Sequence, residues 1–153
     1  MAGTFGGYWQ SQILNSLVNN TTLTHTQTMW VALGTSAVFT AGGTNTFEPF
    51  TAASAAGAGY ARYGIGTGSC FEAVTVPTAG SLSGAVATNT ATLTISAGTT
   101  SSWGDIGWIA IMNTTTVGTG DVLAWCTAAA TRTVSTGDQV LIAAGSLSIQ
   151  VGP

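Results

Sequence analysis

Large apolar side chains are densest in residues 103–126, WGDIGWIAIMNTTTVGTGDVLAWC. Alternate residues of a strand face opposite sides, which divides this run into two sets: Ile106, Trp108, Ala110 and Met112 on one face, and Ile109 and Ile111 on the other. Apolar residues on both faces are typical of a strand that is covered on both sides. A second apolar run begins at Val122, and the Asn, Thr and Gly residues before it favour a turn. The stretch therefore predicts a central β-hairpin.

Residues 8–20 carry the pattern of an amphipathic helix. Every fourth position is apolar, with further apolar residues beside this row: Trp9, Ile13 and Leu17, then Leu14 and Val18. Glycines precede the helix, so an N-terminal segment of residues 1–20 could pack on its own sheet or reach a neighbouring subunit. We expect packing on its own sheet.

The rest of the chain predicts short strands separated by turns. Strand patterns occur at residues 24–34, 60–65, 70–76, 85–95, 139–141 and 147–151, the last two separated by a turn. Together with the hairpin they give about nine short strands, which favours a mainly β fold: an antiparallel β-sandwich or open barrel with one N-terminal α-helix. The 153 residues fit one domain, residues 1–153.

Residues 35–59 hold no sustained period and are rich in Gly, Ala, Ser and Thr, which predicts a long loop. Ordered loops of this length usually have a function. Phe39, Phe47 and Phe50 would anchor it to the body or to a partner. The candidate assembly contacts are therefore aromatic and aliphatic: Trp9, Ile13, Leu17, Phe39, Phe47 and Phe50.

Charge is scarce along the whole chain. Charged residues make up 5%, the formal net charge is -3, lysine is absent, and the basic residues are Arg62 and Arg132, while threonines number 28 and glycines 21. A chain without a basic cluster lacks the usual source of nucleic-acid affinity, and its apolar runs are too short for a membrane helix. Mean hydropathy is nevertheless positive, at +0.41. We expect neither nucleic acid nor membrane as a partner, and partner proteins over part of the surface.

Residues suited to catalysis or metal binding are few. His25 has no carboxylate near it in sequence, no G-x-S-x-G motif occurs, and GIGTG at residues 64–68 lacks the lysine of a phosphate-binding loop. Carboxylates could meet in space, but most lie in turn-like contexts where capping is the ordinary role: Glu48, Glu72, Asp105, Asp121 and Asp138. Cys70 and Cys126 are expected to be buried thiols, and zinc would need more ligands. We expect no enzyme activity, cofactor or metal.

The predicted structural core centres on the hairpin. Trp103 should pack over the core where the central strand begins, and Gly104 should hold a conformation that other residues resist. The predicted core residues are Trp103, Gly104, Trp108, Ile109, Ile111 and Trp125.

The order of these landmarks resembles a family of small virion proteins of tailed bacteriophages, often described as tail-fibre-like. The resemblance covers roughly residues 8–151. Its most specific parts are Tyr60-Ala61-Arg62, Trp103-Gly104 with the apolar strand after it, and Gly137-Asp138 through Ser148. The family usually has more acidic residues after the central strand, where this chain has Asn113 and a threonine run, which counts against a cation-binding role for that loop.

The resemblance implies a non-enzymatic structural role in the virion, assembled in the host cytoplasm. The charge-poor composition favours a capsid decoration or cement protein that contacts itself, as a homotrimer, and the major capsid protein. The alternative is a tail or tail-fibre component that contacts the host surface, with glycans as a possible ligand through exposed Trp or Tyr.

Overall fold

The computed structural model describes residues 3–5, 7–20, 22, 28–35, 47–65, 71, 85–97 and 100–151. Within them the chain forms nine strands and two helices, and all strand pairs are antiparallel. The elements in chain order are β1 (Gly3–Phe5), α1 (Gly7–Asn19), β2 (Met29–Gly34), α2 (Ala52–Ala58), β3 (Tyr63–Ile65), β4 (Ala85–Thr88), β5 (Leu93–Ser96), β6 (Gly104–Met112), β7 (Val122–Val134), β8 (Gln139–Ile142) and β9 (Ser148–Val151). The predicted mainly β, antiparallel class is confirmed.

Five strands form the main sheet, in the order β1-β7-β6-β2-β3. The predicted hairpin is its centre, since β6 pairs with both β7 and β2. Two further pairs, β4-β9 and β5-β8, form separate two-stranded sheets. Helix α1 ends at Asn19, and Asn20 takes a left-handed conformation, φ 50°, that stops it.

The main sheet carries apolar residues on both faces, as its sequence predicts. Alternation along β2 and β6 divides the buried side chains into two clusters. The larger cluster includes Val31, Leu33, Ile109, Ile111 and Leu123. The smaller one consists of Ala32, Phe47, Ala110, Met112 and Val122, with Trp30 and Trp125 packed against it.

A bulge in the hairpin corrects one predicted face. Ile106 lies opposite Arg132 while Trp108 lies opposite Thr127, so four residues of β7, 128–131, face Gly107 alone. Such an insertion breaks the alternation of a strand. Ile106 therefore joins the larger cluster with Ile109 and Ile111, not the face of Ala110 and Met112 that strict alternation predicts.

Two predicted segments differ in the structure. The predicted loop at residues 35–59 contains helix α2, because its alanine-rich run favours helix and Thr51 and Ser54 cap the start: the Thr51 N–H donates to Ser54 Oγ at 3.1 Å. The predicted strand at 85–95 is two strands. They are separated at buried Asn89, whose side chain bonds the backbone of Ala91, Ala143 and Leu147.

One further predicted strand falls mostly outside the described residues, and one observed strand, β1, was not predicted. The predicted strand at 70–76 lies outside them except for Phe71, which bridges to Asn89. Strand β1 occupies part of the glycine-containing leader, where the sequence shows no strand pattern, and pairs Gly3–Phe5 with the end of β7 nearest the hairpin loop.

Candidate functional site

The chain buries an ion pair between Glu48 and Arg62. Both side chains are fully buried, and the pairing is bidentate: Arg62 Nη2 lies 2.6 Å from Glu48 Oε2, and Nε lies 2.9 Å from Oε1. Two parallel charge-assisted bonds fix orientation as well as distance. Nothing in the sequence distinguishes these two charges from surface charges.

The same ion pair holds the hairpin loop, residues 113–121. Arg62 donates to the carbonyls of Thr114 at 2.8 Å and Thr119 at 3.0 Å, and the Gly118 N–H donates to Glu48 Oε2 at 2.7 Å. We call this arrangement of Glu48, Arg62 and the loop backbone the clasp. It satisfies the buried charges with internal bonds, which is the condition under which buried charges are tolerated.

Tyr60 extends the clasp into the sheet. Its hydroxyl lies 2.9 Å from Glu48 Oε1 and accepts the Leu33 N–H at 3.0 Å. Burial, and next the negative charge of Glu48, raise the pKa of Tyr60 well above its ordinary value. Because the Glu48 carboxylate has no exposed surface and accepts bonds from Tyr60, Arg62 and the Gly118 N–H, the clasp has the chemistry of a structural lock.

Four of the six predicted core residues lie in or beside the two clusters: Trp103, Ile109, Ile111 and Trp125. Trp103 is 2% exposed, its ring meets Tyr60 edge to face at 5.1 Å, and its indole N–H donates to the Ala58 carbonyl. Gly104 has φ 71°, the left-handed region that favours glycine. Ile109 and Ile111 are buried in the larger cluster.

Trp108 and Trp125 are half-buried, with ring centroids 5.3 Å apart. Tryptophan or tyrosine that serves a glycan must present its ring to solvent. Among the tryptophans and tyrosines whose burial the structure describes, at positions 30, 60, 63, 103, 108 and 125, none is exposed.

The predicted assembly contacts separate into two groups. Phe47 is fully buried in the smaller cluster and lies so close over Gly34 that a Cβ there would clash with its ring. Phe50 is half-buried, with its ring 6.0 Å from that of Tyr60. Both therefore anchor the 47–51 segment to the chain's own body and are not free for a partner. Phe39 and the side chain of Trp9 lie outside the described residues.

Helix α1 packs on its own sheet and still leaves an apolar face open. It contacts β1 and β7, with Ile13 and Ser16 half-buried. Three apolar side chains stand in solvent at i, i+3 and i+4: Leu14 is 59% exposed, Leu17 78% and Val18 76%. We call these three residues the ridge. No Asp, Glu, Lys or Arg occurs before Glu48, so the helix has no charge of its own.

An apolar groove lies beside the bulge. Its volume is about 320 Å³, and it is lined by residues of β6, β7 and β8 with neighbouring positions: Leu33, Ile106, Ile109, Ala128, Ala129, Ala130, Arg132, Val134, Val140, Leu141, Ile142, Ala143 and Ser146. We call this the groove. Leu141, one of the lining residues, is 60% exposed. The sequence gives no signal for the groove, because its shape depends on the bulge between β6 and β7 and on Leu33, which comes from the distant strand β2.

The remaining polar candidates have structural partners or lie outside the described part. Asp105 accepts from Thr133, Asp121 from Asn113, and Asp138 caps the Ser135 N–H. Cys126 is buried, which raises the pKa of its thiol. His25, Cys70 and Glu72 lie outside the described residues. Within the part that is described, no three metal-binding side chains cluster, and no helix is both long and apolar enough to cross a bilayer.

Fold and site together define a β-rich chain that, in its described part, binds its buried charges internally and leaves the ridge and the groove open. Residues 4–150 match the family model Gp80, described as Podophage GP4 fiber I protein gp80. The chain therefore belongs to this family of phage virion proteins, and the resemblance seen in the sequence is confirmed. The description names a fibre, which favours the tail-fibre alternative over capsid decoration. No curated protein matches the chain.

Proposed function

We propose that the protein is a non-enzymatic structural subunit of a podophage tail fibre. The observation that carries the proposal is the family match, which spans residues 4–150 and so includes every strand of the main sheet except the first residue of β1. Its place would be in the virion, at the tail.

The geometry is consistent with a structural role. The clasp uses Glu48 and Arg62 to hold the hairpin loop, and neither charge is accessible to a substrate. Among the described residues, the ridge and the groove are open apolar surfaces, and both are almost free of charge. Uncharged apolar patches on a chain with few charges favour specific association, because little electrostatic repulsion separates the copies.

We extend the proposal to the oligomeric state and the partners. Closed cyclic symmetry is the usual form of homo-oligomers, and a fibre axis suits a trimer. The partners would be other copies of the chain and neighbouring virion proteins, with the host surface reached through the assembled fibre.

The test is the location and copy number of the chain in purified particles. Immunogold labelling should mark the tail end, and quantitative mass spectrometry should give a small number of copies in multiples of three per particle. Hundreds of copies spread over the head would overturn the fibre proposal in favour of capsid decoration.

A further inference from the structure

We infer that the ridge of one copy docks into the groove of the next copy. This inference rests on the proposed structural function and names the interface through which the copies would assemble. It starts from a complementarity within one chain: the ridge is convex, apolar and exposed, and the groove is concave, apolar and open.

The ridge has the spacing of a helix that binds a groove. Leu14, Leu17 and Val18 stand at i, i+3 and i+4, the arrangement by which amphipathic helices anchor in hydrophobic grooves. The half-buried side of α1, with Ile13 and Ser16, faces the chain's own sheet. The ridge is therefore not needed to hold the helix in place.

The groove has a size and lining that suit this ligand. About 320 Å³ is at the low end of the ~300–1,000 Å³ typical of small-molecule pockets, enough for a few aliphatic side chains. Its lining includes small, exposed residues of the bulge, Ala129 and Ala130, and the exposed Leu141. Small side chains let a helix backbone approach closely.

Charge complementarity identifies the occupant as α1. The helix has no basic residue in its last turn, so its C-terminal end keeps the partial negative charge of the helix dipole. Arg132 lines the groove, is exposed, and forms no ion pair within the described part of the chain. Among the residues that the structure describes, no carboxylate lines the groove. A charge-free apolar helix with a negative end thus fits a groove whose described lining carries the cation Arg132.

The contact joins two different surfaces, so it is heterologous. A heterologous contact closes into a ring when its rotation is right and otherwise continues as a filament. Each copy in a ring offers one ridge and one groove.

The test uses two variants, one that disrupts the ridge and one that disrupts the groove. Leu17→Glu puts a charge on the ridge, and Leu141→Glu puts a charge on the lining of the groove. Each variant alone should sediment as a monomer, with self-association reduced at least roughly tenfold to a hundredfold, as the loss of one buried leucine implies. The matched controls carry the same charge away from both surfaces: Gln12→Glu, on the side of α1 opposite the ridge, and Gln139→Glu, on β8 outside the groove lining.

Mixing the two variants gives the decisive result. The Leu17→Glu chain keeps an intact groove and the Leu141→Glu chain keeps an intact ridge, so an equimolar mixture should form a dimer with one native contact. That recovery also shows that both variants are folded. If the mixture stays monomeric while each control assembles like the native chain, the docking proposal is overturned.

Other occupants would give other outcomes. A native chain that stays monomeric at all concentrations but binds an octyl-chain detergent would overturn the proposal in favour of a small apolar ligand. Self-association that only Leu17→Glu abolishes, with no recovery on mixing, would replace it with a ridge-to-ridge contact. Fibre location with unchanged sedimentation of both variants would overturn this interface and leave the proposed function standing. Location on the head together with recovery on mixing would overturn the proposed fibre function and leave this interface standing.

Discussion

The clasp and the ridge reverse the ordinary placement of charge and apolar surface. Soluble proteins keep charges outside, and Glu and Arg are almost never fully buried unless paired. Here Glu48 and Arg62 are fully buried, while Leu17 and Val18 stand more than three-quarters exposed. In the comparison, the few charged residues are buried at the clasp, and the exposed ridge has none.

At the clasp, charge provides geometric precision. Bonds from Arg62 and Glu48 reach three backbone groups of the 113–121 loop, so a loop of Thr, Gly and Asn holds one shape. At the ridge, the lack of charge leaves the surface able to meet another copy. If this comparison is right, changes at the clasp should alter folding and changes at the ridge should alter assembly only.

The largest effect is expected from breaking the clasp. Glu48→Gln leaves Arg62 as an uncompensated buried charge, which costs about 3–5 kcal/mol, and urea unfolding followed by fluorescence would measure it. Replacing both partners, Glu48→Gln with Arg62→Met, should cost less than the sum of the single changes. Asp105→Asn is the control: this carboxylate is exposed, and its loss should stay within about 0.5 kcal/mol.

Trp103→Ala should have a similar effect, about 3–5 kcal/mol, the range for truncating a buried aromatic residue. The change removes the ring contact with Tyr60 and the bond to Ala58. Trp108→Ala, at a half-buried position, should cost less. A thermal midpoint that Trp103→Ala leaves unmoved would show that the hairpin entry is not part of the folding core.

The sequence predicts the elements whose signal is local. The hairpin follows from apolar runs on either side of an Asn, Thr and Gly segment, α1 from a row of apolar residues, and the special backbone of Gly104 from its place before a buried strand. Each signal lies within about twenty residues, so periodicity and turn chemistry suffice.

The features that need distant parts of the chain were not predictable. Glu48 and Arg62 look like two surface charges until the fold brings the 113–121 loop over them. The bulge at residues 128–131 consists of Ala and Thr, whose pattern gives no sign of an insertion, yet it reverses the face of Ile106 and shapes the groove. The sequence leaves open whether Phe47 anchors its loop to the body or to a partner, and only the close approach over Gly34 shows that it is core.

Two glycine substitutions of smaller expected effect separate the cost of backbone conformation from the cost of side-chain packing. Gly104→Ala should destabilise by about 1–2 kcal/mol, the cost of a left-handed conformation for a residue with a Cβ, since nothing lies within 4 Å of the added atom. Gly57→Ala in α2 also meets open space and should stabilise by about 0.5–1 kcal/mol, because alanine is the better helix former. Chemical unfolding of both variants compares the two signs.

Alkaline pH should loosen the clasp. The pKa of Tyr60 is raised in the folded chain by burial and by Glu48, so the folded state holds the phenol proton more tightly than the unfolded state. The resulting stability is complete below pH ~10, the ordinary tyrosine value, and is lost as pH rises toward the folded pKa. Cys126 also lowers the folding stability as pH rises, starting at a lower pH than Tyr60, because burial raises the pKa of its thiol from 9.0.

Unfolding measured between pH 8 and 11 would test this loss. Lysine is absent from the chain, so no lysine ammonium group titrates in this range. Tyr60→Phe should remove the part of the slope that begins near pH 10 and keep the part that Cys126 contributes. An unchanged slope in this variant would contradict the role of Tyr60.

The last comparison sets Leu17 of the ridge against Arg132 of the groove lining, where the smallest effect is expected. Leu17→Ala should change unfolding by less than about 0.5 kcal/mol, because the side chain is exposed. In the assembly the same change should cost about 1.5–3 kcal/mol, the transfer free energy of a buried leucine. Arg132→Gln should cost the assembly only about 0.3–1 kcal/mol, the range for a cation at an exposed helix terminus. Salt screens the electrostatic contribution of Arg132 and leaves the apolar contribution of Leu17 intact. Sedimentation of the native chain from low to high salt should therefore show nearly constant self-association, and a loss of several tenfold would mean that ion pairs, not the ridge, hold the copies together.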